Sequence, residues 1–316
     1  MKHALPLAGA PRAVQATMAE IGPIWATNIR AHSDRVKAAY APLLVTAPKD
    51  AITVSRNCAY GAHPRQVLDV FRPEGVIGAP VVVFVHGGAF VRGDKCTSTE
   101  IYDNVLYWFA RQGYLGINVE YRLAPEASYP AGAVDVALAV AWLRENVARF
   151  GGDPSRLLLI GHSAGGTHVA SYAYDPLPGY LGEYATAIVL ISARLRADQA
   201  PENPNASGVK AYFGDDVARY DERSPGNFGA ASELPVFIVN AEFENPLLDV
   251  YGLELAHNIA VARGKAPRYL RLAHHNHMSI MAHFNTEEEI LGREILDFFA
   301  AAERWTSPGF VSGRRL

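Results

Sequence analysis

The chain has 316 residues, 49% of them hydrophobic and 19% charged, with a formal net charge of -3. That is enough chain to bury a sizeable core as one large domain, and the charge gives no electrostatic basis for binding nucleic acid or an anionic membrane surface. Two cysteines, Cys58 and Cys96, are too few for a disulfide framework and form no Cys-x-x-Cys pair, so unpaired thiols in a reducing, cytoplasmic setting are expected.

Met1 to Ala10 resembles a signal peptide only superficially, because its apolar run is short and broken by Pro6; a flexible start is expected. No run approaches the roughly 18 apolar residues of a membrane span. From 11 to about 43, Val14, Met18, Ile21, Ile24 and Trp25 recur at helical intervals, followed more loosely by Ile29, Val36 and Tyr40. Pro23 separates two helices here. Because this stretch precedes the first strand pattern, residues 1–50 read as an N-terminal helical cap on a catalytic domain at 51–316.

Alternation predicts strands over 51–55 and 66–71, joined by the polar turn Gly61 to Arg65. Val81 to Val85 is a strand buried on both faces, ending at His86-Gly87-Gly88-Ala89-Phe90. A helix over 101–111, capped by Gly113, leads to a strand over 114–121 and an amphipathic helix over 132–150. Leu157 to Ile160 then runs into Gly161-His162-Ser163-Ala164-Gly165-Gly166, with a helix continuing from Thr167 to Tyr174. After a strand over 186–191, the stretch 194–233 is rich in Pro, Asn, Gly and charge and reads as a cap-like insertion over the sheet's carboxyl edge. A strand over 235–241, a helix over 249–263 and a strand over 268–272 follow. The last helix is expected to open at Thr286, with Glu289 completing a capping box, and to run to about Ala302 before an irregular tail. Strands alternating with helices imply a mainly parallel sheet covered on both faces.

The chemistry concentrates at three places. A strand that turns sharply into a helix through Gly-x-Ser-x-Gly exposes Ser163 as a nucleophile, and the following helix N-terminus favours negative charge beside it. A serine hydroxyl needs a base, a group to orient that base, and donors for the oxyanion. Gly87 and Gly88, directly after a buried strand, let backbone N–H groups approach a substrate oxygen, and with the N–H of Ala164 they form a three-donor oxyanion hole. His86 reads as a post for that loop, and His162 as a structural residue on the far side of the strand. The base should follow a late strand. His277 is furthest into the His274-His275-Asn276-His277 segment, with His275 and His274 as alternatives. Of the carboxylates after the preceding strand, Glu244 is best placed to orient it; Glu242 lies too near the strand, and Asp249 fits a helix start. His283 adds no second ligand group with metal spacing, so no metal and no organic cofactor are expected.

His86-Gly87-Gly88-Ala89-Phe90, Tyr121-Arg122-Leu123-Ala124-Pro125-Glu126 and Gly161-His162-Ser163-Ala164-Gly165-Gly166 together resemble the α/β-hydrolase carboxylesterases related to hormone-sensitive lipase. The resemblance spans roughly Gln66 to Phe299. It implies an α/β-hydrolase fold, an oxyanion hole at the glycine pair, Ser163 as nucleophile and small-molecule ester substrates bound under a cap. The family usually has Asp directly before Pro-Leu. Here Glu244-Asn245-Pro246-Leu247 puts an amide in that place, and Glu244 is expected to serve through a one-residue offset. The expected activity is a serine carboxylesterase acting on small or aryl esters. The stretch from Tyr60 to Phe71 also resembles arylformamidase-like amidohydrolases, although these carry Trp where Phe90 stands; a non-catalytic ligand-binding member of the fold is the third alternative. Phe90, Phe213 and Phe243, with Trp25 and Tyr40, are the expected substrate-binding walls.

Overall fold

The computed structural model describes Leu7 and residues 9–306. The expected flexible start and irregular tail fall largely outside the described residues. Eight strands form a single sheet: β1 (Ile52–Ala59), β2 (Val67–Pro73), β3 (Ala79–Val85), β4 (Leu115–Val119), β5 (Gly152–His162), β6 (Ala187–Ile191), β7 (Val236–Phe243) and β8 (Arg268–Asn276). Their spatial order is β1-β2-β4-β3-β5-β6-β7-β8. β2 is antiparallel to β1 and β4, and every later pairing is parallel. The helices, in chain order, are α1 (Arg12–Ile21), α2 (Ile29–Thr46), α3 (Asp103–Arg111), α4 (Ala131–Asn146), α5 (Ala164–Tyr174), α6 (Ala206–Phe213), α7 (Leu248–Arg263), α8 (Ser279–Ala282) and α9 (Ile290–Thr306).

The apolar run of β3 is continuous because the strand has a core on each side. Val82 and Phe84 join the face covered by α3 and α9, with Val105, Phe109, Leu291 and Ile295. Val81, Val83 and Val85 join the face covered by α4, α5 and α7, with Val136, Val140, Val169 and Leu255. Full burial of each such side chain stabilises the fold by roughly 1.5–3 kcal/mol. The same geometry carries the carboxyl ends of β3, β5, β7 and β8 to one edge of the sheet.

Two segments roof that edge. In the first, α1 buries Val14, Met18 and Ile21, and α2 buries Val36, Tyr40 and Leu44; a short turn at Trp25–Thr27 separates them. Asn28 caps α2 by accepting from the Ala31 amide at 3.2 Å. In the second, Val209, Tyr212 and Phe213 of α6 pack on Phe90, Ala124 and Ala164. No helix among the described residues is long and apolar enough to cross a membrane.

The structure departs from the sequence pattern at several termini: β1 runs on to Ala59, and β5 already starts at Gly152. β8 continues through His274 and His275 to Asn276, carrying polar residues that mask its extended character. The final helix starts at Ile290, not at Thr286. The capping box does not close: the Thr286 hydroxyl oxygen accepts from the Glu288 amide at 3.3 Å, and the Glu289 carboxylate accepts from the Trp108 indole at 3.1 Å.

One buried group sets an acid limit on stability. The His168 ring lies among Phe90, Tyr121 and Tyr212, fully buried, and neither ring nitrogen has a hydrogen-bond partner among the described residues. Burial, reinforced by nearby His86, pushes its pKa down to about 3 from the ordinary 6.5. The unfolded chain therefore takes up this proton near neutrality while the folded chain refuses it, and stability falls as pH drops through that window. His168 alone is expected to account for a loss of about 2 kcal/mol between pH 7 and pH 5. Urea unfolding at both pH values should show wild type losing more than His168→Gln by that amount; equal losses would contradict it.

Candidate active site

β5 ends at His162, α5 begins at Ala164, and Ser163 makes the whole turn between them with φ 55° and ψ −120°. A side-chain-bearing residue in that region costs roughly 1–3 kcal/mol and persists only where its surroundings over-determine it. Here they do. A Cβ on Gly165 would lie 2.2 Å from the Val85 carbonyl oxygen, so α5 sits directly against the end of β3. The Ser163 amide donates to the Ile191 carbonyl at 3.0 Å, tying the turn to β6.

The loop after β3 faces this turn. A Cβ on Gly87 would lie 3.0 Å from the Ser163 Cβ. Gly88 has φ 152°, and a Cβ there would lie 1.8 Å from the Arg92 carbonyl oxygen, so only glycine fits. His86 braces the loop from beneath, its Nδ1 2.7 Å from the Gly87 carbonyl oxygen and its Nε2 3.0 Å from the Glu120 carboxylate. The Ala164 amide opens α5, where helix geometry offers no intrahelical acceptor. Gly87, Gly88 and Ala164 are thus gathered around the Ser163 turn.

His277 follows β8 directly and Glu244 follows β7 directly. The strands are parallel neighbours, which brings the two side chains together: His277 Nδ1 lies 2.5 Å from Glu244 Oε1. The Glu244 side chain is only 3% exposed. Burial pushes its pKa up, but the His277 charge, the hydrogen bond from His277 and the Asn245 amide outweigh this and hold it below the ordinary value. The carboxylate therefore accepts from Nδ1–H, which leaves Nε2 as the basic nitrogen of the ring. His277 itself is fixed from behind. His162 Nε2 donates to the His277 carbonyl at 3.0 Å, and the Tyr102 hydroxyl lies 3.3 Å from His162 Nδ1. Burial, and then the neighbouring His277, hold the His162 imidazole well below its usual pKa, which suits a neutral ring used as a donor.

Ser163, His277, Gly87 and Gly88 line one cavity of about 770 Å³. Its outer walls come from the cap, including Trp25, Thr27 and Arg30, and from Asn205 just before α6. The Trp25 indole N–H donates to Asn245 Oδ1 at 2.8 Å, which ties the N-terminal segment to the loop after β7.

Several expectations need correction. Phe90 and Phe213 are buried in a cluster with Tyr212, the Phe90 and Tyr212 rings stacked at 4.8 Å. Phe243 packs against the cap, where a Cβ on Gly22 would come within 2.4 Å of its ring. None of the three lines the cavity, and neither does Tyr40; Trp25 does. The rings were chosen for hydrophobicity, which does not separate a pocket wall from a core residue. His162 does not face away from the site: it lines the cavity, its ring 4.8 Å from that of His277. His274, His275 and His283 do not line the cavity. His274 is exposed beside Glu242, and His275 is buried between Ser279 and Glu288. Asp249 sits in the first turn of α7, accepting from the Val250 amide. Tyr102 and Arg92 also line the cavity, and neither belongs to a sequence motif.

Residues 68–175 match the BD-FAE family model. The chain is 40% identical over 208 residues to Esterase LipC of Mycobacterium tuberculosis, covering 62% of this chain and 50% of that protein. It is 45% identical over 196 residues to Carboxylesterase NlhH of the same organism, covering 54% of this chain and 57% of that one. The chain thus spans about half the length of these relatives. Among solved structures, Esterase B from Lactobacillus rhamnosis superposes with a TM-score of 0.71 at 22% identity, covering 92% of this chain and 97% of the other. A hyperthermophilic esterase from Pyrobaculum calidifontis gives 0.67 at 19% identity, covering 93% and 97%.

Proposed function

We propose that this chain, whose fold is that of the α/β-hydrolases, is a serine carboxylester hydrolase related to the hormone-sensitive-lipase-like esterases and acts on small or aryl esters. The observation that carries this reading is the Glu244–His277 hydrogen bond, delivered by two parallel strands into the cavity that holds Ser163 and the glycine pair. Ser163 Oγ attacks the acyl carbon and His277 Nε2 takes its proton. The oxyanion draws on the amides of Gly87, Gly88 and Ala164. Collapse expels the alcohol, which receives the proton from His277, and leaves an acyl-enzyme. Water, deprotonated by the same nitrogen, then releases the acid and restores Ser163. Glu244 holds the tautomer and stabilises the imidazolium. Residues 1–50 act as a cap and 194–233 as a second roof over a confined cavity. The separated Cys58 and Cys96 thiols support a cytoplasmic setting.

The test combines turnover with labelling. The protein should hydrolyse 4-nitrophenyl butyrate, and a fluorophosphonate should modify Ser163 alone, stoichiometrically and with loss of turnover. Labelling at another residue with Ser163 untouched would overturn the assignment.

A further inference from the structure

The cavity carries charge that ester cleavage itself does not use. Arg30, in the first turn of α2, and Arg92, in the loop after β3, both line it from separate walls. Neither guanidinium forms an ion pair with a described carboxylate. Arg92 has only a long contact, 3.4 Å, to Asn205 Oδ1. The acidic side chain among the lining residues, Asp34, is already engaged by Lys37 at 2.9 Å. Elsewhere arginines reach a carboxylate closely: Arg35 with Glu20 at 2.7 Å, Arg122 with Asp135 at 2.7 Å and Arg268 with Asp297 at 2.8 Å. Two cationic forks from independent elements thus line the cavity of Ser163 without a described counter-ion, each guanidinium carrying five N–H donors, of which one on Arg92 is turned to Asn205. The same cavity is lined by Trp25, Ile29 and Met278, so it offers a cationic end beside an apolar wall.

We propose that the preferred ester carries a carboxylate remote from the scissile bond, and that Arg30 and Arg92 receive it. This rests on the esterase reading of Ser163. A planar guanidinium pairs with a carboxylate through parallel charge-assisted hydrogen bonds. Both arginines are exposed, so the gain is screened by salt and is felt mainly as substrate capture.

The experiment compares charged and neutral esters of matched shape. One pair places the charge on the alcohol side, 4-acetoxybenzoate against 4-acetoxybenzamide; the other on the acyl side, monomethyl glutarate against methyl valerate. The charged member of at least one pair should have kcat/KM about tenfold higher at low salt, expressed chiefly in KM. Half-molar sodium chloride should shrink the ratio, and the ratio should fall below one in Arg30→Glu/Arg92→Glu. Hydrolysis of the neutral esters with no preference in either pair, or a preference unmoved by the double charge reversal, overturns the proposal and leaves the esterase reading standing. No hydrolysis of any of the four, with Ser163 unreactive to fluorophosphonate, overturns both.

Discussion

Ser163→Ala is expected to lower turnover of an activated ester by about 10⁶-fold. The alanine removes the nucleophile while leaving the glycine loop and the Ala164 amide in place, so residual hydrolysis above the water rate should survive, driven by binding and oxyanion stabilisation alone. Folding should be untouched. The turn is held by the Ser163 amide's bond to the Ile191 carbonyl and by the close packing at Gly165, neither of which uses the hydroxyl. The measurement is kcat on 4-nitrophenyl butyrate beside a urea unfolding curve. A variant that folds normally and keeps more than about a hundredth of the activity would show that another residue attacks.

The second large effect belongs to the acid. Glu244→Gln is expected to lower kcat by roughly 10² to 10⁴. The amide can donate to Nδ1, which would turn the imidazole to the tautomer whose proton sits on the catalytic nitrogen. It also withdraws the negative charge that stabilises the imidazolium. Asp249→Asn should change kcat by less than about threefold, since its carboxylate is occupied with the Val250 amide at the start of α7. Asn245→Asp should not raise activity, because a second carboxylate beside Glu244 would be buried without the imidazole as partner. Pre-steady-state acylation of the three variants separates these roles. If Asp249→Asn is crippled and Glu244→Gln acylates normally, the acid is misassigned.

Much of this was readable because the signals are local. Val81 to Val85 and Leu157 to Ile160 are continuous apolar runs, which in a chain alternating strands with helices mark parallel strands buried on both faces. Ser163 and Gly87-Gly88 are fixed by where glycine must stand. Glu244 could be read one residue early because Asn245 is not ionisable. What was hidden depends on contacts between distant segments. The end of β8 carries two histidines in an irregular stretch, and the strand reaches past them only because Asn276 pairs with Phe243 of β7. Thr286 and Glu289 look like a cap until the Glu288 amide and Trp108 claim their side chains. Nothing in the pentapeptide tells that His162 will hold the backbone of His277, since that contact joins residues 115 positions apart.

The clasp between Trp25 and Asn245 makes the N-terminal segment a poor candidate for transplantation. Asn245 is 3% exposed and its side-chain oxygen is satisfied by an indole from 220 residues away. A chimera that kept the hydrolase core and borrowed a relative's leading helices would bury that oxygen without a donor, at a cost of about 1–3 kcal/mol. The disturbance would land on the residue adjoining Glu244. In this chain the N-terminal helices and the loop after β7 have to be inherited, or redesigned, as a matched set.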